Sequence, residues 1–197
     1  MFQNMISMKH YLGKIPTDIC DSLINECMQH TVTPFTGNRD LDPTHKFYQH
    51  HLEQKQLADK SGYTDGDSVE FFHYKPGHQY SDDIHTTIND TIGGKVLQSF
   101  ISEIRQGKCA PWHWDIPSLD EDAGVVQDYD PNDLVRCICF IDKPKPGQAF
   151  MVEDECFYME PQGAIYKYSK LDSWHAGFNA GLETKFLLTF TALVSST

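Results

Sequence analysis

The sequence lacks any long apolar run, and this absence excludes several classes of protein. No stretch of 18 apolar residues occurs in the 197-residue chain, so we expect no transmembrane helix. The N-terminal segment 1–14 contains no apolar stretch of the length found in signal peptides. We therefore expect a cytoplasmic protein with no membrane partner.

Positive charge is also scarce. The chain carries 16 Lys and Arg residues against 28 Asp and Glu residues, which gives a formal net charge of −12 at pH 7. A surface with this balance repels phosphate backbones, so we expect no nucleic-acid partner that binds through general electrostatics.

Cysteine occurs six times, but nothing in the sequence indicates an oxidising compartment. Disulfides persist mainly in secreted proteins, and this chain shows no signal peptide. We therefore predict reduced thiols.

Apolar material is sufficient for a folded core, since hydrophobic residues make up 40% of the chain and aromatic residues 12%. The length predicts one domain over 1–197, with helices in about 1–65 and a β-core in about 66–197. The clearest helix is predicted over 15–30, where apolar residues recur at three- and four-residue spacing, and a weaker helix over 45–60.

Apolar runs separated by turn signals predict a series of short strands in the rest of the chain. The apolar positions of 96–104 fit a helix nearly as well as a strand. Short strands at this spacing predict a mainly β protein, a sandwich or jelly roll with helices packed outside. The predicted strands are 68–74, 96–104, 109–116, 134–141, 148–152, 163–168, 173–178 and 185–194.

The segment CAPWHWDIP places His113 and Asp115 two residues apart on a predicted strand. Side chains at positions i and i+2 of a strand point to the same face, so both can reach one metal ion. His175, in the segment SWHAG on a later predicted strand, supplies a third ligand. Two histidines and one carboxylate on one face of the metal are typical of non-haem iron(II) oxygenases.

Lys185 follows His175 by ten residues, at the start of the apolar segment FLLTFTALV. A buried lysine needs an anionic partner, and the distal carboxylate of a keto-diacid bound to the metal would supply one. The alternative is a lysine at the strand entrance whose side chain reaches solvent.

The motif H-W-D at 113–115, followed by HAG at 175–177 and a base ten positions after His175, resembles the iron(II)/2-oxoglutarate-dependent dioxygenase superfamily. The resemblance covers about residues 95–194, half of the chain. The segment HAGFNAGLETK is similar to the prolyl 4-hydroxylase pattern. The run 134–179 also resembles the aspartyl/asparaginyl β-hydroxylase-like branch, so the branch stays open.

This resemblance implies a double-stranded β-helix, a jelly-roll or cupin-like fold, with the metal at its open end. It implies Fe(II), 2-oxoglutarate and O2 as cofactor and cosubstrates, with His113, Asp115 and His175 as the iron ligands. It also implies that Lys185 binds the cosubstrate. The β-hydroxylase-like branch would place Arg136 near the same carboxylate, although a surface arginine is the alternative. The implied activity is hydroxylation of a peptide or small amino-acid-like substrate, with release of succinate and CO2.

Two questions about function remain open in the sequence. A rival to the oxygenase is a non-catalytic, sensory barrel that binds a metal and a small acid without turnover. The loop 116–133 carries six acidic residues, which would favour a cationic substrate if the loop is a lid, or form a solvated charge run if it is not.

Overall fold

Two antiparallel sheets face each other, and two of the described helices cover the outer face of the larger sheet. A computed structural model describes residues 9–29, 33–34, 43–44, 48–60, 70–72, 81–113, 133–168 and 173–194. The helices are α1 (Thr17–Gln29), α2 (Tyr48–Lys60) and α3 (Asp82–Ile92). The strands are β1 (Lys9–Lys14), β2 (Thr33–Pro34), β3 (Glu70–Phe72), β4 (Gly94–Ile104), β5 (Lys108–His113), β6 (Leu134–Cys139), β7 (Gln148–Val152), β8 (Glu155–Tyr158), β9 (Ala164–Tyr168), β10 (His175–Asn179) and β11 (Lys185–Val194).

The chain winds back and forth between the two sheets. The larger sheet has the order β1-β9-β6-β11-β4-β3-β2, and the smaller sheet has the order β5-β10-β7-β8. From β4 to β11 the described strands alternate between the sheets, except that β7 and β8 form a hairpin within the smaller sheet. This is the double-stranded β-helix that the family resemblance implies, and the mainly β fold class is confirmed.

Strand β11 lies at the centre of the larger sheet and separates two hydrophobic clusters. Phe186, Leu188 and Phe190 point to the outer face, where they pack under helices α1 and α3. Leu187 points the other way, into the space between the sheets, which we call the barrel interior. Strict alternation along β11 therefore fixes which of its polar side chains enter the barrel interior.

Helix α1 buries the apolar face that the three- and four-residue spacing predicts, with Cys20, Leu23 and Cys27 facing the core. The segment 96–104, which was ambiguous in sequence, is a strand within β4. Among the later predictions, 148–152 and 185–194 match β7 and β11 in both bounds.

Helix α3 corrects the prediction of a β-core from about residue 66 onward. Ile84, Ile88 and Ile92 recur every four residues and are buried, but β-branched and acidic residues around them weaken the helix signal in sequence. Gly93 ends the helix in the left-handed conformation, with φ 61°. Strands β1, within the region predicted to be helical, and β8 were also not predicted.

Several predictions lie on residues outside the described ones. These are Asp115, the acidic loop up to residue 132 and most of the predicted strand 68–74. All six cysteines are described, and none forms a disulfide. None of the helices within the described ranges is long and apolar enough to cross a membrane.

Candidate metal and cosubstrate site

His113 and His175 stand directly opposite each other on the paired strands β5 and β10. Their ring centroids are 4.3 Å apart, with an angle of 56° between the ring planes. The two histidines are 62 residues apart in the chain, and the hydrogen-bond register alone brings them together.

A β-bulge in β5 turns His113 into the barrel interior. Ala110 pairs with Gly177 and His113 pairs with His175, so Pro111 and Trp112 together oppose one residue of β10. In a regular strand, residues three apart would point to opposite faces, whereas the extra residue restores a common face. Proline suits this position because it has no N–H to donate to the ladder.

Backbone carbonyls fix the same nitrogen on both imidazole rings. His113 Nδ1 lies 2.6 Å from the carbonyl oxygen of Pro111, and His175 Nδ1 lies 3.0 Å from that of Ser173. A carbonyl oxygen only accepts hydrogen bonds, so each Nδ1 carries a proton and the lone pair of the neutral ring is on Nε2. This is the arrangement in which histidine ligates a metal, so the pair fits an iron centre.

Aromatic rings hold His175 in place. His175 is buried, with the Tyr168 ring centroid 5.3 Å from its own and the Phe150 centroid 5.7 Å away. Neither Phe150 nor Tyr168 stands out in the sequence as a candidate site residue. Their only sequence signal is that each lies within a predicted strand, which does not show which face they occupy.

Gly177 allows strand β10 to approach the larger sheet. A Cβ atom at this position would lie 2.8 Å from Cδ1 of Ile104 and 3.7 Å from the Phe150 ring. A side chain there would require the end of the Ile104 side chain to move, so the glycine of the HAG motif has a packing role two residues from His175.

Lys185 extends from the larger sheet to the smaller one across the barrel interior. The residue is 3% exposed, and its Nζ donates a hydrogen bond of 2.6 Å to the carbonyl oxygen of Ala149 on β7. Burial lowers the pKa of Lys185 to about 7, although the charges of Asp142 and Cys156 act in the opposite direction. The Lys185 side chain is therefore buried, whereas the alternative considered from the sequence was a lysine whose side chain reaches solvent.

Asp142 supports the start of β11 from the β6–β7 loop. Its carboxylate accepts a 2.5 Å hydrogen bond from the backbone N–H of Phe186 and lies 3.5 Å from Nζ of Lys145. Burial raises the pKa of Asp142, while these two contacts and the charge of Lys185 lower it.

Arg136 is also inside the barrel. It is 4% exposed, and its Nη1 donates a 2.6 Å hydrogen bond to Oγ1 of Thr191 on β11. Its guanidinium carbon lies 5.1 Å from the centroid of the Phe100 ring. Thr191 comes six residues after Lys185 on the same face of β11, which corresponds to about 20 Å along the strand.

The third predicted ligand cannot be placed, because Asp115 lies outside the described residues. Within the described ranges, no three His, Cys, Asp or Glu side chains cluster closely enough to hold a metal ion. The iron triad and the cosubstrate roles of Lys185 and Arg136 therefore stay predictions.

Comparison with known proteins gives a likeness of fold. No family model and no curated protein matches the sequence. A prolyl-4-hydroxylase from Pseudomonas putida is similar in structure, with a TM-score of 0.52, 13% identity and coverage of 96% of this chain and 94% of that one. A viral collagen prolyl hydroxylase from Paramecium Bursaria Chlorella virus-1, solved as its 2OG complex, gives a TM-score of 0.52, 12% identity and coverage of 96% and 98%. At this identity the likeness shows the fold alone.

Proposed function

We propose that the protein is an Fe(II)- and 2-oxoglutarate-dependent oxygenase that hydroxylates a peptide or amino-acid-like substrate in the cytoplasm. The observation that carries the proposal is the facing pair His113 and His175, each with Nδ1 held by a backbone carbonyl. The similarity in fold to two prolyl hydroxylases supports it.

Each candidate residue would have a separate role in such a reaction. His113 and His175 would hold the iron through Nε2, and Asp115, two residues after His113, would complete the triad. The bound iron, with 2-oxoglutarate and O2, would supply the oxidising chemistry and leave succinate and CO2. Lys185 would bind the distal carboxylate of 2-oxoglutarate, because a buried ammonium is stabilised by an anion.

The barrel interior beside the histidines is apolar and aromatic. Phe150 and Tyr168 contact the His175 ring, and they pack with Val152 and Phe157 in one buried cluster. These side chains exclude water from one side of the site, so charged ligands there interact strongly with the protein.

Anaerobic titration with Fe(II) and 2-oxoglutarate tests the proposal directly. We expect a weak visible charge-transfer band from the iron chelate, and O2-dependent formation of succinate once air is admitted. A chelate band without succinate formation would support the sensory barrel instead. No band in well-folded protein would refute both readings of the site.

Substitution of either histidine should abolish iron binding and leave the fold intact. We expect His113→Ala and His175→Ala to lose iron in elemental analysis, because each removes one of the two imidazole ligands. His10→Ala on the exposed side of β1 is the matched control and should keep full iron content. Full iron occupancy in either site variant would exclude the predicted triad.

A further inference from the structure

A series of hydrogen bonds leads from the turn between β7 and β8 to the ring of His175. Oε1 of Glu153 accepts a 2.9 Å hydrogen bond from the N–H of Trp174. The other end of the same peptide group, the carbonyl oxygen of Ser173, lies 3.0 Å from Nδ1 of His175. We propose that Glu153 is a positioning residue, which orients His175 for metal binding through this peptide group. The inference rests on the proposed oxygenase function and adds a residue that supports one of its iron ligands.

Glu153 binds both backbone groups of Trp174. Its own N–H donates a 2.8 Å hydrogen bond to the Trp174 carbonyl oxygen, and its side chain accepts from the Trp174 N–H. Val152 and His175 are partners in the ladder of β7 and β10, so Glu153 and Trp174 occupy the next position along it. Residues at such a position of an antiparallel pair exchange two backbone hydrogen bonds. Here the carboxylate of Glu153 takes the place of the second backbone acceptor.

The backbone of Glu153 adopts a conformation that favours glycine. Its φ is 51°, and within the described part of the chain Met159, with φ 57°, is the other non-glycine residue of this kind. Glu153 and Asp154 form the turn between the paired residues Val152 and Glu155. A glycine at position 153 would avoid the strain but would lack a side-chain acceptor. Strain that is kept at a turn beside a candidate site indicates that the side chain has a role there.

The charge of Glu153 can act on His175 through the peptide group between them. A hydrogen bond to a carboxylate is stronger than one between neutral groups, and hydrogen bonds in series polarise one another. The Ser173 carbonyl oxygen therefore becomes a better acceptor for the Nδ1 proton of His175. A partner that holds this proton fixes the orientation of the ring and makes Nε2 a better metal ligand.

NMR of the imidazole rings tests this effect without any metal. The probe is the exchange of each Nδ1 proton with solvent, followed in ¹H–¹⁵N spectra of the metal-free protein and assigned from His113→Gln and His175→Gln. In Glu153→Gly the Nδ1 proton of His175 should exchange at least about fivefold faster than in the parent. The Nδ1 proton of His113 should be unchanged, because its acceptor is Pro111 on β5 and not the Ser173–Trp174 peptide group.

Fe(II) affinity, measured anaerobically by competition with a chromogenic chelator, is the second readout. Loss of a direct partner of a histidine ligand weakens metal binding by about 10- to 100-fold, so Glu153, which acts through one more group, should contribute about 3- to 10-fold. We expect this loss in Glu153→Gly. Glu153→Gln keeps an acceptor oxygen without the charge, so its Fe(II) affinity should lie between those of the parent and Glu153→Gly. Glu153 is exposed, so neither substitution removes buried packing.

Two control variants separate this role from general effects. Asp154→Asn removes a negative charge from the same turn, and Met159→Gly replaces the other strained residue. Both should keep the Fe(II) affinity of the parent and its slow exchange at His175. Glu153→Gly should unfold in denaturant at a midpoint close to that of the parent, because relief of the strained backbone offsets the lost hydrogen bond. Weaker iron binding in a variant of parent-like stability is the result that a merely structural role does not give.

The outcomes distinguish the inference from the function on which it rests. If the parent protein binds no Fe(II), the proposed function fails, and the NMR comparison still decides whether Glu153 orients His175. Parent-like exchange at His175 in Glu153→Gly would overturn the inference, and so would faster exchange with unchanged Fe(II) affinity. It would also be overturned if Asp154→Asn weakened Fe(II) binding as much as Glu153→Gly, because a general effect of charge would then explain the loss.

Discussion

Among the described residues, one buried lysine distinguishes this barrel from a generic jelly roll. Lys185 begins an otherwise apolar central strand, and its ammonium crosses to the opposite sheet, where its hydrogen-bond partner is a neutral carbonyl. Desolvation of such a group is costly, and a ligand carboxylate would offset much of that cost.

Removal of the Lys185 charge should weaken the binding of 2-oxoglutarate and leave the binding of iron unchanged. A charge-assisted hydrogen bond in a buried site contributes about 1.5–3 kcal/mol, which corresponds to roughly 10- to 150-fold in affinity. We expect Lys185→Ala to lose at least about tenfold in 2-oxoglutarate affinity by calorimetry, with near-normal iron content. Lys185→Arg should retain part of the affinity.

Lys145→Ala controls for the loss of a lysine from the same region. Lys145 Nζ lies 3.5 Å from a carboxylate oxygen of Asp142 and 3.4 Å from one of Glu183, and its side chain is 22% exposed. The Lys145→Ala variant should therefore have the 2-oxoglutarate affinity of the parent protein. Parent-like affinity in Lys185→Ala would move the cosubstrate site elsewhere, with Arg136 as the next candidate.

At the residue scale, the sequence singles out side chains that can bind a metal or an anion. It does not single out the side chains that pack against them. His113, His175 and Lys185 are visible because spacing and motif single them out. Phe150 and Tyr168 are common core residues, and only the pairing of β7 with β10 and the closeness of the two sheets reveal their contacts with His175.

At the element scale, a register irregularity decides the geometry of the site. The alternation of side chains along a strand predicts that His113 and Asp115 lie on one face. It does not predict the bulge at Pro111 and Trp112, which turns His113 inward. A bulge leaves no clear signal in a single sequence, since it depends on the partner strand. Helix α3 was missed for a related reason, because tertiary packing of Ile84, Ile88 and Ile92 outweighs weak local propensity.

The close approach of β10 to β4 predicts a specific double-mutant result. Gly177→Ala should destabilise the protein by about 0.5–1.5 kcal/mol, the cost of turning Ile104 away from its preferred rotamer, because the new Cβ would lie 2.8 Å from Cδ1 of Ile104. Ile104→Val removes that carbon and should itself cost about 0.5–1.5 kcal/mol. We expect the double variant to be more stable than the sum of the two single effects, as measured by denaturant unfolding.

Iron affinity gives a second measurement on the same variants. Gly177→Ala should keep near-normal iron binding in the single and the double variant, because the end of the Ile104 side chain moves more easily than strand β10. Strict additivity of the two stability effects would show that the barrel relaxes around the new methyl group elsewhere.

At the scale of the whole molecule, the two-sheet architecture was predictable from the sequence, whereas two strands at the edges of the sheets were not. The alternation of short strands predicted two sheets with helices outside, and the strand order of the two sheets and the packing of α1 and α3 bear this out. Strands β1 and β8 lie at sheet edges, where one side of the strand is unpaired and the sequence carries less of the apolar alternation on which prediction depends.

Lys185 also gives the stability of the whole molecule a defined dependence on pH. Its pKa is about 7 in the folded protein against an ordinary value of 10.5. Between these values the unfolded chain holds a proton that the folded protein does not, so the fold becomes more stable as pH rises through this window. Each pKa unit corresponds to about 1.4 kcal/mol, so the full window amounts to on the order of 5 kcal/mol.

The comparison of parent protein and Lys185→Met isolates this contribution. From pH 7 to pH 9 the free energy of unfolding of the parent, measured in denaturant, should rise relative to the variant by about 2–3 kcal/mol. Bound 2-oxoglutarate should reduce the slope, because its carboxylate favours protonated Lys185, and its affinity should fall as pH rises above about 7. Parallel pH profiles of parent and variant would mean that Lys185 keeps its proton in the folded barrel, and therefore that an anion already compensates its charge.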